Sequence, residues 1–343
     1  MRPVPLRPVE GPARESPGKA PGPFDPGGGP PRPSRSDFDV VVVGGGPAGL
    51  SAAAFCGRKF LSTAVFEEEC WGGILTRYCP DKRIDNYPGA PRGIHARDLA
   101  DALFEEARVA HAELIGCGVE GITGNGEVHG KGFKVRGKVV ILACGSSAAE
   151  ARIPGEKGLA DKGGGVHYHV PDPSRFRGMR VVVVGGGDTA VSHVQRLAGV
   201  AASVTLVHRR GALRAQHGFP EEMERMGNAS ILLGTSVETI LGTHWVEGVR
   251  VKNVDSGHAF DIPADAVVVA AGRTPNTVLF RDLGLALDGK GQIVADVWQK
   301  TSLPRILAIG DVTSHLKMIV TAVAQAASAA HEAYAQVRSP YWR

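Results

Sequence analysis

The chain has 343 residues, 43% of them hydrophobic, with 46 glycines and a formal net charge of +4. That length supports two domains with separate cores, no apolar run reaches the length of a membrane span, and the basic residues are too dispersed to make a nucleic-acid surface. The five cysteines, Cys56, Cys70, Cys79, Cys117 and Cys144, are odd in number and form no Cys-x-x-Cys pair, so a reducing, cytoplasmic setting and no metal site are expected.

Residues 1–36 are roughly half proline and glycine and hold few apolar side chains, so a disordered tail is expected, without the apolar core of a secretory signal. Ordered structure begins with Val40–Val43, a β-like run that ends in Gly44-Gly45-Gly46-Pro47-Ala48-Gly49 and opens a helix of small residues. Thr63–Phe66 reads as the next strand and ends at Glu67. Arg92–Ala110 carries a helical pattern with its charges on one face, the pattern of a covering helix. Val139–Ala143 reads as a buried parallel strand, and Ile153-Pro154-Gly155 as a crossover.

A second strand–turn–helix follows: Val181–Val184, then Gly185-Gly186-Gly187-Asp188-Thr189-Ala190. Its next strand, Val204–Val207, runs into His208-Arg209-Arg210, with Arg214 placed one helical turn further on. Leu232–Val251 alternates as short strands, and Ala266–Ala270 is a buried strand whose exit is Gly272. Ile306–Ile309 then runs into Gly310-Asp311, ahead of a helical stretch over Met318–Tyr334.

Each glycine-rich turn suits a pyrophosphate. Missing Cβ atoms let the anion approach the backbone, and the helix N-terminus offers free N–H groups and a positive dipole end. Two such turns in one chain point to two dinucleotides held at once. The residues at the ends of the following strands separate them. The Glu67 carboxylate can accept from both ribose hydroxyls, which suits FAD or NAD. The arginines at 209, 210 and 214 suit the 2′-phosphate of NADP. The bland alternative is that these are solvated strand-end charges. Motif order then gives an FAD-binding domain of residues 37–150 and 271–343, interrupted by an NADP-binding domain of residues 151–270. Asp311 and the N-terminus of the helix after it are expected to face the ribityl and pyrophosphate part of the flavin, the bland alternative being an ordinary turn.

With these motifs the chain resembles the low-molecular-weight thioredoxin reductases and their ferredoxin–NADP reductase branch over roughly residues 38–338. Trp71-Gly72-Gly73-Ile74-Leu75 is similar to the loop beside the flavin, and Ile84–Gly89, with Asn86, to a following flavin contact. Ala143-Cys144-Gly145 stands where the family has Ala-Thr-Gly, and Ala271–Thr277 and Gly310-Asp311 match the family's closing motifs. The resemblance implies an α/β fold of two Rossmann-like, three-layer domains, FAD and NADPH as cofactors, a homodimer, and flavin contacts that include Val119. Thioredoxin reductases carry a Cys-x-x-Cys pair just before the second glycine turn; here the segment reads His167-Tyr168-His169-Val170-Pro171-Asp172, with no cysteine. Cys79 stands where the ferredoxin branch has a tyrosine packed on the flavin. His167 and His169 are either contacts to the nicotinamide or flavin, or surface histidines.

The chemistry belongs to the cofactors, and no catalytic side chain is assigned. The leading expectation is an NADPH-linked reductase of a carrier such as ferredoxin or flavodoxin. Two alternatives stay open: a disulfide reductase using Cys79 and Cys70, and a non-catalytic regulatory protein that binds both cofactors.

Overall fold

The computed structural model describes residues 32–214, 223, 225–314 and 316–340. Residues 1–31 of the expected tail lie outside the described residues. At the end of the tail, Ser34 Oγ donates to Glu113 at 2.6 Å, and the Ser36 carbonyl accepts from the Arg136 amide at 2.7 Å.

The first sheet is built from β1 (Asp37–Val43), β2 (Thr63–Phe66), β5 (Glu113–Ile115), β6 (Val119–Ile122), β7 (Glu127–Gly130), β8 (Phe133–Leu142) and β19 (Ile306–Ala308); the intervening β3 (Arg83–Ile84) and β4 (Ile94–His95) form a separate hairpin. The order is β5-β2-β1-β8, all parallel. β8 is long enough to serve two partners: its first half pairs antiparallel with β7, and its second half pairs in parallel with β19. Alternation along β1 feeds two cores. Val40 and Val42 join one apolar cluster, Val41 and Val43 the other, which is why the run is apolar without interruption. The first face is covered by α1 (Pro47–Arg58) and by the C-terminal helix Ile319–Arg338, which meet through Ala52, Ala53, Ala326, Ala329 and Ala330, all fully buried. Small side chains let those two backbones approach closely.

The second sheet repeats the plan inside the first. Its strands are β10 (Val166–His167), β11 (Arg180–Gly185), β12 (Ser203–Val207), β13 (Ala229–Leu232) and β17 (Ala266–Ala270), in the order β10-β17-β11-β12-β13 and all parallel. One face packs on α5 (Asp188–Ala198). The other packs on a three-stranded antiparallel sheet of β14 (Thr235–Leu241), β15 (Gly248–Asn253) and β16 (Ala259–Pro263). Both units are three-layered and Rossmann-like, with the second inserted in the first, as expected.

The chain passes between the units twice, and the two passages lie side by side. β9 (Ser146–Ala148) pairs antiparallel with β18 (Arg273–Pro275), and the Ala149 amide donates to the Gly272 carbonyl at 3.0 Å. Beyond β9 the first passage is pinned by Glu156, only 1% exposed. Its carboxylate accepts from the Ala151 and Ile153 amides and from the Tyr168 hydroxyl. Two element boundaries differ from the sequence reading. The covering helix, Ala96–Val109, starts at Ala96 rather than Arg92, because Ile94–His95 pairs as a strand. The last helix runs to Arg338.

Candidate functional site

The first glycine turn shows why each glycine is there. Gly44 sits at φ +107°, and a Cβ on it would lie 2.4 Å from the Ala143 carbonyl oxygen; one on Gly49 would lie 1.8 Å from that of Gly44. These two positions let β1, β8 and the start of α1 converge. Gly46 differs: a Cβ there would meet nothing within 4 Å. It is the N-cap of α1, with Pro47 as the first helical residue. The first intrahelical bond runs from the Leu50 amide to the Gly46 carbonyl at 2.9 Å, so the amides of Ala48 and Gly49 have no intrahelical acceptor. An anion at Gly46 would meet both.

A cleft of about 230 Å³ runs over this turn. Of the sequence-predicted residues, Gly44, Gly46, Pro47, Ala48, Glu67, Gly73, Leu75, Ala143, Gly145, Gly310 and Asp311 line it. Gly49 lies beneath the turn, and Gly72 supports it by donating to the Gly45 carbonyl at 2.9 Å. Three others are outside the lining. Asn86 is exposed, Val119 packs on the far core of the first sheet, and the Cys79 thiol is turned to the Ile74 carbonyl at 3.5 Å. The aromatic lining is Tyr78, one residue earlier.

Charges in the cleft are fixed by hydrogen bonds. Glu67 accepts from the amides of Gly45 at 2.7 Å, Glu69 at 2.9 Å and Cys70 at 3.3 Å. Burial still raises its pKa, against the pull of those amides. Asp311 accepts from Ser146 Oγ at 2.9 Å, which itself accepts from Arg273 Nε at 2.8 Å. Arg273 Nε stands 3.7 Å from the Asp311 carboxylate, and its side chain is 22% exposed. Lys317, Met318 and Ile319, ahead of and in the C-terminal helix, complete that wall. Sequence reasoning missed Tyr78, Ser146 and Lys317, and Asn276 entered it only within the Ala271–Thr277 motif.

The second glycine turn has the same logic. A Cβ on Gly187 would meet nothing within 4 Å. The Val191 amide makes the first helical bond to the Gly187 carbonyl. With no proline here, the amides of Asp188, Thr189 and Ala190 are all left without an intrahelical acceptor. A cleft of about 460 Å³ lies alongside, lined by Gly185, Gly186, His208, Arg209, Arg210 and Arg214. Gly187, Asp188, Thr189, Ala190 and Gly272 are not in that lining. The buried His208 ring lies over Gly186, where a Cβ would come within 2.3 Å of it. Burial, then Arg210 and Arg214, lowers the His208 pKa, so the imidazole is neutral beside the guanidiniums. Arg214 is not a helical turn away: residues 209–214 bend back, and the Arg214 amide donates to the Gly186 carbonyl at 2.8 Å. Glu150 and Thr235–Val237 also line this cleft and were not foreseen.

None of the five cysteines is placed as a nucleophile. Burial pushes the thiols of Cys56 and Cys144 up to about 12 and that of Cys70 to about 11, and raises Cys79 and Cys117. No disulfide links them. Among the described residues no cluster of His, Cys, Asp and Glu could hold a metal ion, and no helix is long and apolar enough to cross a membrane.

Residues 38–326 match the pyridine nucleotide-disulphide oxidoreductase family. The chain belongs to that family. Within this oxidoreductase family its relatives include the thioredoxin reductase of Peptoclostridium acidaminophilum, 32% identical over 317 residues, 89% of this chain and 98% of the relative. They also include the ferredoxin–NADP reductase of Frankia casuarinae, 34% identical over 304 residues, 86% of this chain and 93% of the relative. The crystal structure of Lactococcus lactis thioredoxin reductase in the FR conformation superposes with a TM-score of 0.82 at 30% identity, covering 88% of this chain and all of that one. The chain is therefore a low-molecular-weight thioredoxin-reductase-like flavoprotein oxidoreductase without the Cys-x-x-Cys pair, and its cofactors are FAD and NADPH. The two turns fit that pair of ligands. Each leaves open space at one glycine, Gly46 or Gly187, against a helix N-terminus; Arg209, Arg210 and Arg214 line the second cleft together, whereas the first is lined by Glu67 and Asp311 with Arg77.

Proposed function

We propose that this oxidoreductase passes electrons from NADPH, through FAD, to a one-electron carrier protein of the ferredoxin or flavodoxin type. The observation that carries the reading is what stands in place of the dithiol: His169, whose ring stacks on Tyr78 at the first cleft. Thiol exchange needs a thiolate that reaches both flavin and surface, and burial raises the pKa of every thiol here.

In this reading residues 37–150 and 271–343 bind FAD and residues 151–270 bind NADPH. The Ala48 and Gly49 amides hold the FAD pyrophosphate, Glu67 the adenosine ribose, and Asp311, oriented by Ser146 and Arg273, the ribityl side. The amides of Asp188–Ala190 hold the NADPH pyrophosphate, and Arg209, Arg210 and Arg214 its 2′-phosphate. FAD, when bound, accepts two electrons together from NADPH and releases them singly. The chain's own residues bind, orient and shield; none is required to move a proton for the transfer.

A disulfide reductase is the competing reading, favoured by relatives that bear the thioredoxin reductase name. An acceptor panel decides. NADPH-driven reduction of ferredoxin or flavodoxin, with slow or absent reduction of thioredoxin and small disulfides, supports the proposal. Robust disulfide turnover lost in Cys79→Ser contradicts it.

A further inference from the structure

Two histidines sit in the seam between the units, and among the described residues no carboxylate acts on either ring. The His169 imidazole lies face to face on the Tyr78 ring, centroids 3.4 Å apart and planes 16° apart. Tyr78 belongs to the FAD-binding unit and lines its cleft; His169 follows β10 in the NADP-binding unit. The Arg77 guanidinium also lies 4.9 Å from the Tyr78 ring centroid. Deeper in the seam, His193 on α5 is 6% exposed, and neither of its ring nitrogens has a hydrogen-bond partner.

The charged groups that face these rings are cations. Arg273, His193 and Arg77 act on His169; Arg196 and Lys82 act on His193. They are fixed where they stand. Arg196 donates to the Pro171 carbonyl at 3.1 Å, Arg273 to Ser146 at 2.8 Å, and Arg77 pairs with Glu69. The carboxylates that answer these cations, Asp311 and Glu69, do not act on either imidazole.

We propose that His169 is a positioning residue: in its neutral form it clamps Tyr78 over the flavin cleft and closes the seam between the two units, and its protonation releases the clamp. The inference rests on the reading of the first cleft as the FAD site. Burial, reinforced by the cations, pushes His169 down to about 3 and His193 to about 4, against an ordinary histidine value of about 6.5. A histidine pKa lowered in the closed form means that closure is fully favoured above about pH 6.5. It is lost as pH falls below that value, with up to two protons taken up on opening. A clamp that crosses the seam bears on the reaction, because a ring over the cleft shields the flavin from small molecules until it moves.

Two measurements on the purified holoenzyme test this, with His169→Phe, which keeps a stacking ring but cannot titrate, and His169→Ala, which removes the stack. The first is quenching of flavin fluorescence by acrylamide, a neutral probe. In the wild type the quenching constant should be low at pH 8 and rise severalfold between about pH 6.5 and 5. In His169→Phe the rise should be clearly smaller, since only His193 is left to titrate in the seam, and in His169→Ala quenching should already be high at pH 8. Equal, pH-independent quenching in all three proteins would overturn the clamp. The second needs no flavin: histidine NMR of the full chain, with the His169 resonance assigned by its loss in His169→Phe. The clamp requires a midpoint well below 6.5, and an ordinary midpoint would refute it. Protein that takes up no FAD would instead defeat the cofactor reading, which absorbance shows separately.

Discussion

Gly46 and Gly187 are expected to separate the two nucleotide sites without disturbing the fold. Both cap a helix in ordinary extended backbone, φ −75° and ψ −175° at Gly46, φ −107° and ψ 179° at Gly187. Any residue can adopt these angles, and a Cβ on either would meet no protein atom within 4 Å. Valine at each position should therefore cost only about 1 kcal/mol of stability, the cost of a poorer helix cap. Its branches would instead fill the approach to the amides behind it. At Gly46 those are the two amides of Ala48 and Gly49. Hydrogen bonds to a charged group contribute about 1.5–3 kcal/mol each, so losing both is worth roughly 3–6 kcal/mol, or on the order of 10²–10⁴ in affinity. Gly187→Val blocks three amides and should weaken NADPH at least as much. The assay is reciprocal. Flavin content by absorbance, NADPH binding by calorimetry and thermal melting are measured on both variants. Gly46→Val should melt only about 2–4 °C below wild-type apoprotein yet bind little FAD; Gly187→Val should retain FAD and lose NADPH. Wild-type FAD content in Gly46→Val, or loss of both nucleotides from either folded variant, would refute the assignment of the turns.

Gly49→Ala should behave differently, because its Cβ would lie 1.8 Å from the Gly44 oxygen: a loss of about 1–3 kcal/mol in denaturant unfolding is expected, and an unchanged midpoint would show that the turn can relax. Arg209→Ala should raise the NADPH dissociation constant by roughly 10–150-fold through loss of one charge-assisted contact, with NADH binding nearly unchanged; equal loss for both nucleotides would remove Arg209 from the 2′-phosphate site. Cys70→Ser and Cys79→Ser should each leave NADPH-dependent reduction of ferredoxin or flavodoxin within about twofold of wild type, since burial raises the pKa of both thiols; a collapse of that activity in either would count against the thiol-free route.

The glycine turns were legible in the sequence because their geometry admits few other residues. At Gly44 the backbone is left-handed, and at Gly49 no side chain fits. Glu67 and the arginines at 209, 210 and 214 were legible because strand length fixes where the next strand ends. Their surroundings were not. Tyr78 stands one position before the residue that family resemblance singled out, so motif matching pointed to Cys79, which faces the Ile74 carbonyl instead. Asn86 and Val119 were carried by resemblance alone, with no spacing argument behind them, and neither lines the cleft. Glu150 and Thr235–Val237 reach the second cleft from a passage and a strand distant in the chain. The Tyr78–His169 stack depends on how two separately legible units meet, which no local pattern encodes.

The most direct test of the account is the number of electrons that the protein stores. A flavin alone takes up two per chain; a flavin joined to a redox-active dithiol takes up four. Anaerobic dithionite titration of FAD-loaded wild type should reach full flavin reduction after two electrons per chain, with no long-wavelength thiolate–flavin band, and Cys70→Ser and Cys79→Ser should give the same curve. Uptake of four electrons, falling to two in Cys79→Ser, would contradict the central claim.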